Sequence, residues 1–297
     1  MNKEKNFLKS IEHSLTTLIP IDRDVFYLYR RNKAAVLSLF IVGAFVFSAV
    51  FADFLAPYDP LELNLGERLS PPSYEHLLGQ DQVGRDILSR ILHGAKISLW
   101  IGVTTVLISM SVGTAFGLLA GYWGGKTDTV IMRIVDILLS FPAILLAIVI
   151  MAALGPSLFN ALLAVALVYM PRYTRIVRGS TLSIKQNQYI EAARMVGAGH
   201  LRIMIRHILP NLIAPILVYA TLQIGMAILE VAGIGFLGLG AQPPTPEWGA
   251  ILNDGRGYMI KAPHIAFFPG LAIFITVMAF NMMGDGLRDA LDPRLRN

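Results

Sequence analysis

The residue types that carry out most metal and nucleophilic chemistry are missing or scattered in this chain. Cysteine is absent, which excludes disulfides, thiolate metal sites and cysteine nucleophiles. Two of the 6 histidines, His200 and His207, share one segment, but they lack the four-residue spacing of a helical zinc pair. No pair of carboxylates and no Ser, His and Asp set has the spacing of a catalytic group. We therefore predict no catalytic residue, no metal site and no cofactor bound by this chain.

Two glycine patterns bear on nucleotide chemistry. Gly233, Gly235 and Gly238 fit G-x-G-x-x-G, but a dinucleotide fold also needs a preceding strand and an acidic residue about 20 positions later. These glycines instead follow a long apolar run and precede the proline-rich stretch Gln242–Pro246, so packing or hinge roles are favoured. No G-x4-G-K-[ST] phosphate-binding loop occurs. Any ATPase must therefore be a separate chain.

One short segment combines a carboxylate, small residues and regular spacing. It runs E-A-A-R-M-V-G from Glu191 to Gly197, and the pair L-P follows after eleven further residues. The pattern predicts a short helix over Gln188–Met195 that Gly197 ends, since glycine tolerates positive φ. A second short helix is predicted over His200–Ile208. Its predicted stop lies just before Pro210, because proline disfavours a helical conformation in the residue that precedes it.

Composition places these motifs in a membrane protein. Of 297 residues, 55% are hydrophobic and 15% charged, against about 45–50% and 25% in soluble domains. A membrane-spanning helix needs about 20 apolar residues. Five uncharged runs meet this length, and a sixth meets it only if its helix continues through Pro171 and Arg172. The five are Ala34–Ala52, Ile97–Tyr122, Ile137–Leu154, Leu212–Leu229 and Ile265–Met283, and the sixth is Leu158–Met170.

The positions of lysine and arginine predict the orientation of these spans. Loops rich in positive charge stay in the cytoplasm. With six spans and a cytoplasmic N-terminus, 19 of the 25 Lys and Arg residues lie on the inner side. Both termini are therefore predicted to be cytoplasmic, and so is the basic loop 172–211, which contains Glu191. Topology accounts for the positive charge, and no nucleic-acid partner is predicted.

The predicted organisation is an all-α integral membrane protein with six transmembrane helices. A cytoplasmic segment, residues 1–33, includes an interfacial helix near Asp24–Lys33, where aromatic side chains lie beside arginines. The six-span domain covers residues 34–284, with outer loops at 53–96 and 238–263. Residues 285–297 form a cytoplasmic tail.

Three polar residues lie in or beside the last two predicted spans. Gln223 lies within the fifth span, Glu230 at its outer end and Asn281 near the end of the sixth. An ionisable group close to the membrane must face protein or water. These residues are therefore candidates for a transport pathway or a helix interface, and the alternative for Glu230 is a plain helix end.

The segment around Glu191 resembles the EAA loop of ABC-importer permeases. The residues assigned to it are Glu191, Ala192, Ala193, Gly197, Ala198, Leu209 and Pro210. In that family the loop forms a coupling helix that docks into a groove of the ATPase subunit. His207 departs from the aliphatic residue that many of these permeases have.

Further stretches resemble the C-type permease of dipeptide, oligopeptide and nickel importers. They are LGQDQVGRDILSRILHGAKISL, FLGLGAQPPTPEWGAIL and FNMMGDGLRDALDPRLR. The sequence departs from the family after Glu230, where relatives often have E-A-x-L-S-F-L-G-L-G and this chain has E-V-A-G-I-G-F-L-G-L-G. The resemblance implies the permease fold of a type I ABC importer, located in the bacterial inner membrane.

The same resemblance implies partners and a substrate class. The partners are a second permease subunit, two cytoplasmic ATPases that hold ATP and Mg, and an external substrate-binding protein. The implied substrates are dipeptides or oligopeptides, with nickel chelates or glutathione-like peptides as alternatives. A secondary transporter would carry charges at the midplane of its spans, and a membrane enzyme would carry clustered histidines or carboxylates. The uncharged spans argue against both.

Overall fold

The computed structural model describes residues 23–291, and the predictions for residues 1–22 and for the tail from residue 292 fall outside it. Within this range the chain is α-helical, and no β-strand forms apart from one isolated bridge between Gln80 and Asp86. The helices are α1 (Arg23–Arg31), α2 (Lys33–Val50), α3 (Ala52–Leu55), α4 (Ile87–Trp123), α5 (Gly125–Leu139), α6 (Ala143–Leu154), α7 (Leu158–Ile184), α8 (Gln188–Met195), α9 (His200–Ile203), α10 (Leu209–Phe236), α11 (Trp248–Gly255) and α12 (His264–Leu291).

Four of these helices, α2, α4, α7 and α11, begin at a polar side chain that binds a free backbone N–H group of the first turn. Asn32 caps α2 by accepting from the N–H groups of Ala34 and Ala35 at 3.1 and 3.2 Å. Asp86 caps α4 through the N–H group of Ser89 at 2.7 Å. The helix α1 occupies the position predicted for the N-terminal interfacial helix.

Four helical stretches of residues 23–291 are long and apolar enough to cross a membrane. They are α2, α4, the continuous stretch His200–Phe236 and α12. A bent pair, α5 and α6, would be a fifth if it forms one span. The helix α7 is long, with 27 residues, and it continues through Pro171 as the span predicted from the run Leu158–Met170 requires.

The run Ile137–Leu154, predicted as one span, is not one continuous helix. The run is broken between α5 and α6, whose axes differ by 95°. Pro142 stands at this break, where its ring and missing N–H group cannot continue the helix from Ser140. The helix α6 has 12 residues and no charged side chain, whereas α5 contains four charged residues.

The predicted helix stop before Pro210 is also wrong. A π-helical turn, Met204–Ile208, joins α9 to α10 without a break. Proline lacks an N–H group and is tolerated in the first turn of a helix, and Pro210 stands there in α10. The N–H group of Leu209 bonds to the carbonyl of Met204, five residues back, which is the bond of a π-helical turn. The chain therefore stays helical from the π-helical turn into the first turn of α10.

Three glycines on α4 bring it into close contact with α7. A Cβ atom at Gly113 would lie 2.5 Å from Cβ of Tyr173, and one at Gly117 would lie 2.6 Å from the carbonyl oxygen of Thr174. A Cβ atom at Gly121 would lie 2.7 Å from Cβ of Thr181. Small residues at four-residue spacing allow two helix backbones to approach in this way. The packed pair α4 and α7 forms the centre of the described structure.

The two predicted outer loops are folded against each other. Asp81 is fully buried and receives hydrogen bonds from Arg85, at 2.6 Å, and from Arg90. The same arginines donate to Oδ2 of Asp254 in α11 at 2.9 and 3.2 Å. Nε1 of Trp248 donates to the carbonyl of Ile91 at 3.0 Å. The loops thus form one ordered cap over this end of α4.

Of the packing or hinge roles favoured for the glycines of the G-x-G-x-x-G pattern, close packing occurs at Gly235, whereas Gly238 ends a helix with positive φ. A Cβ atom at Gly235 would lie 2.9 Å from Oε2 of Glu247. Gly238 has φ +81° and follows the last residues of α10. Its N–H group bonds to the carbonyl of Gly235 at 2.8 Å, which closes the helix end.

Candidate functional site

The helix α8 carries the Glu191 motif and has the bounds predicted for it, Gln188–Met195. Gly197 has φ +81°, as predicted for the residue that ends this helix. The N–H groups of Gly197 and Ala198 bond to the carbonyls of Arg194 and Ala193 at 2.9 and 3.0 Å. These two bonds are those of a Schellman motif, which satisfies carbonyl groups that the helix end would leave free.

One side of α8 anchors it to the spanning helices. Ile190 is fully buried in a cluster with Leu118 and Tyr122 of α4 and Val177 of α7. Ile203 and Ile208, from α9 and the π-helical turn, complete this cluster and are also fully buried. The segment between α7 and α10 is therefore attached to the end of the α4 and α7 pair. We call Gln188–Ile208 the loop-helix segment.

Polar contacts join the loop-helix segment to the end of α4. The Tyr122 hydroxyl lies 2.8 Å from Nδ1 of His200, and the ring of Trp123 packs against His200 with centroids 4.9 Å apart. Arg194 lies over the ring of Tyr122, and Nζ of Lys185, at the end of α7 just before the segment, donates to the carbonyl of Tyr122 at 2.8 Å. Together these contacts fix the positions of both short helices relative to α4.

The other side of the loop-helix segment is exposed and apolar at its tip. Met195 is 90% exposed and Val196 is 86% exposed, and Leu201 and Ile205 are also largely exposed. Glu191 is exposed close to this apolar surface. Exposed arginines of the same segment lie at positions 194, 202 and 206. An apolar tip with a carboxylate and several arginines is suited to bind a protein partner.

The structure separates the predicted motif residues into two groups. Glu191, Ala192 and Gly197 are exposed, whereas Ala193 and Ala198 are half-buried. Leu209 and Pro210 are half-buried where the π-helical turn joins α10, which makes them part of the attachment to the membrane helices. The motif therefore contains residues exposed to a partner and residues that attach the segment to the membrane helices.

The predicted pathway residue Glu230 lies beside residues from the middle of α7. Its carboxylate interacts with the Tyr169 hydroxyl and with the positive charge of Arg172. The Arg172 guanidinium lies over the Tyr169 ring at 5.7 Å and also interacts with Tyr219 of α10. The rings of Tyr219 and Tyr173 are 4.9 Å apart. A group of charged and phenolic side chains thus lies between α7 and α10.

The two other predicted pathway residues lie apart from Glu230. Gln223 stands seven residues before Glu230 on α10 and is 8% exposed. Its Oε1 atom is buried and has no hydrogen-bond partner among residues 23–291. Asn281 is half-buried on α12, and no side-chain hydrogen bond links it to Gln223 or Glu230 in the described part of the chain.

Several residues of these sites are missing from the predicted set. Tyr122, Ile190 and His200 fix the loop-helix segment, and Lys185 joins the end of α7 to Tyr122. Tyr169 and Arg172 lie near Glu230 and interact with it electrostatically. The helical spacing of Tyr169, Arg172 and Tyr173 was a signal that these side chains share one face of a helix. No sequence signal specifies that this face meets Glu230.

Two families match the chain by sequence. Residues 113–297 match the family described as "Binding-protein-dependent transport system inner membrane component". Residues 23–72 match the "N-terminal TM domain of oligopeptide transport permease C". The two matches together include every spanning helix except the first part of α4.

Curated proteins match over nearly the whole chain. The chain is 50% identical to the glutathione transport system permease protein GsiD of Pectobacterium atrosepticum, over 93% of this chain and 92% of the relative. It is 49% identical to the dipeptide transport system permease protein DppC of Alkalihalophilus pseudofirmus, over 93% and 90%. The di/tripeptide transport system permease protein DppC of Pseudomonas aeruginosa is 47% identical over 91% of both chains.

The fold is similar to that of a solved transporter. An inward-facing structure of the MetNI methionine ABC transporter matches with a TM-score of 0.56 and 20% sequence identity. The match covers 69% of this chain and 98% of the solved chain. At this identity the likeness concerns the fold.

Proposed function

Since this chain belongs to the family of binding-protein-dependent transport system inner membrane components, we propose that it forms half of the pathway of an ATP-driven importer for small peptides. It is a multi-pass permease subunit of the inner membrane, and ATP hydrolysis belongs to separate subunits. Family membership argues against the secondary-transporter and membrane-enzyme alternatives.

The observation that carries the coupling role is the way the loop-helix segment is held. Its exposed tip, Met195 and Val196, can bind a partner, while buried Ile190 ties the same helix to α4 and α7. A force on the tip would therefore move the spanning helices instead of only bending a loop. In the proposed mechanism, closure of the ATPases on ATP draws the coupling helices together and opens the pathway outward.

The proposed assembly contains this chain, a second homologous permease, two cytoplasmic ATPases with ATP and Mg, and an external binding protein. The names of the relatives and the resemblance of the loop-helix segment to the EAA loop support these partners. The proposed topology has six spans, with α5 and α6 together as the third span and α7 as the fourth. Both termini then lie in the cytoplasm.

The proposed substrates are dipeptides or short oligopeptides. Glutathione is the second candidate, because a relative of equal similarity is a glutathione permease. The external binding protein selects the cargo in such systems, so the permease sequence alone does not separate the two.

Purification of the complex with its native binding protein tests the function. Mass spectrometry of the carried ligand should find a short peptide or glutathione. Proteoliposomes that contain the complex should then accumulate that compound only with ATP and the loaded binding protein. Accumulation without the ATPase subunits would overturn the importer assignment.

A further inference from the structure

The helix α1 is held at the membrane surface by its connection to α2. Asn32 alone separates the two helices, and its side chain caps α2 by accepting from the N–H groups of Ala34 and Ala35. The helix α2 is one of the four stretches long and apolar enough to cross a membrane. Because only one residue joins it to the start of a spanning helix, the last turn of α1 lies at the level of the lipid headgroups.

One side of α1 packs against the protein. The Tyr29 hydroxyl donates to the carbonyl of Ala35 at 3.1 Å, and Nδ2 of Asn32 lies 3.5 Å from Oδ2 of Asp289 on α12. A Cβ atom at Gly286 would lie 2.3 Å from Cβ of Ala35 and 3.3 Å from Cε2 of Tyr29. These contacts fix this side of α1 and the start of α2 against the end of α12.

The other side of α1 is exposed and combines aromatic rings with positive charges. Phe26 and Tyr27 are 60% and 63% exposed. Arg30 and Arg31 follow them one turn later and are also exposed, and the Arg30 guanidinium lies 5.5 Å from the centre of the Phe26 ring. Lys33 adds a third exposed cation, and no carboxylate occurs between Phe26 and Lys33. None of the three cations forms a salt bridge within the described part of the chain.

This combination of side chains is complementary to a bilayer that contains anionic lipid. Aromatic residues of membrane proteins are enriched at the headgroup level, because their rings are apolar enough to enter the boundary of the acyl chains. Lys and Arg residues beside a spanning helix attract acidic headgroups, and each one strengthens binding about fivefold. The exposed side of α1 has both features at the point where α2 enters the membrane.

We propose that the exposed side of α1 binds anionic phospholipid, with Phe26 and Tyr27 inserted at the headgroup level and with Arg30, Arg31 and Lys33 bound to the phosphate groups. Bound lipid then fixes the end of α12 as well, through the contacts on the opposite side of α1. The lipid site goes beyond the import function, and it requires only that the chain lies in a membrane.

Hydrogen exchange of the assembled complex in nanodiscs tests the lipid site. The nanodiscs contain phosphatidylcholine alone or a mixture with phosphatidylglycerol, and the exchange of the α1 amides is compared between the two. A ligand that binds only the folded helix makes its opening rarer. Wild-type α1 should therefore exchange about fivefold or more slowly with phosphatidylglycerol, the effect of at least one cation at an anionic surface. The loop-helix segment is the internal reference and should exchange equally in both lipids.

Two combined variants separate the roles of charge and aromatic rings. In the triple variant Arg30→Gln, Arg31→Gln and Lys33→Gln, α1 should exchange at the same rate in both lipids. In the double variant Phe26→Ser and Tyr27→Ser, α1 should exchange faster than in the wild type in both lipids, because the rings no longer insert.

The matched control removes three exposed cations from the predicted outer loops, with Arg68→Gln, Lys96→Gln and Lys261→Gln in one chain. It should keep the lipid dependence of α1 exchange. Equal exchange of wild-type α1 in the two lipids would overturn the lipid site, and so would a lipid dependence that survives in the triple glutamine variant of α1. If that variant keeps the lipid dependence and loses a partner subunit on purification, the exposed side of α1 is a subunit interface instead.

Discussion

The Tyr122 hydroxyl lies 2.8 Å from Nδ1 of His200, which connects the end of α4 to the start of α9. The helix α4 in turn packs against α7 through Gly113, Gly117 and Gly121. A continuous set of packed contacts therefore runs from the exposed tip of the loop-helix segment to the helices that hold Tyr169. This path gives the coupling proposal its physical basis.

The exposed and the buried side of α8 should have separable roles. Ile190→Ala leaves a cavity in a fully buried position and should destabilise the chain by about 2–5 kcal/mol. Val196→Ala removes an exposed side chain and should leave stability unchanged while it weakens retention of the ATPases. Thermal unfolding and ATPase co-purification measure the two effects. If the two variants lose the same stability and retain the ATPases equally, the two sides of α8 do not have separate roles.

Charge reversal at the presented surface should disrupt coupling. Glu191→Lys replaces an exposed carboxylate, so the spanning helices should stay folded while ATPase retention falls about tenfold or more. Stimulation of ATP hydrolysis by the loaded binding protein should fall with it. Full transport with normal ATPase retention would show that the loop-helix segment is only a connector.

The conformation of Gly197 should matter more than the space around it. No atom lies within 4 Å of a Cβ built at Gly197 or at Gly199, but only Gly197 has positive φ, at +81°. Gly197→Ala should therefore cost about 1–2 kcal/mol, whereas Gly199→Ala should cost little. Hydrogen exchange of residues 188–203 measures the difference. The prediction fails if the two variants exchange at the same rate.

Close packing of α4 on α7 should make Gly117 intolerant of larger side chains. Gly117→Val places its Cβ atom 2.6 Å from the carbonyl oxygen of Thr174, so the helices must separate. Gly43→Val is the control, since nothing lies within 4 Å of its Cβ atom on α2. Yield and thermal stability of the purified complex should drop for Gly117→Val and remain normal for Gly43→Val.

The buried Glu247 should make the outer cap sensitive to pH. Burial raises the pKa of its carboxyl, although hydrogen bonds from the N–H groups of Gly249 and Ala250 and from Ser98 act in the opposite direction. Because the folded state then binds a proton more tightly than the unfolded state, stability is full below the ordinary pKa of Glu and declines as pH rises through the folded-state pKa.

Glu247→Gln should therefore remove this pH dependence while it keeps an oxygen for the start of α11. Glu247→Ala loses the cap and should destabilise by about 1 kcal/mol more than the glutamine variant. Melting temperatures between pH 4 and pH 8 measure both effects. If the melting temperature of the glutamine variant changes with pH as much as that of the wild type, another group causes the pH dependence.

The orientation can be tested directly, because the chain has no cysteine. Ser73 and Ser183 are both exposed, so single cysteines at these positions should react equally with maleimide in detergent. In spheroplasts, an impermeant maleimide should label only Ser73→Cys. Labelling of Ser183→Cys alone would reverse the proposed topology.

Local signals in the sequence were sufficient to predict α8. The motif spacing and the ability of Gly197 to adopt positive φ depend on residues within one or two turns, so they specify both bounds of this helix. The apolar runs likewise predicted membrane helices at α2, α4, α10 and α12. An uncharged apolar stretch of about 20 residues is typical of a helix that spans a bilayer.

Tertiary structure alone decided which residues meet. The sequence placed Tyr169 near the inner end of the fourth span and Glu230 at the outer end of the fifth, yet the two are neighbours. Hydropathy locates each run along its own axis and contains no information on the offset between two packed helices. The helix α4 packs closely on both helices and so fixes their offset, on α7 through Gly113, Gly117 and Gly121 and on α10 through Gly102, where a Cβ atom would lie 2.4 Å from Cγ1 of Ile228.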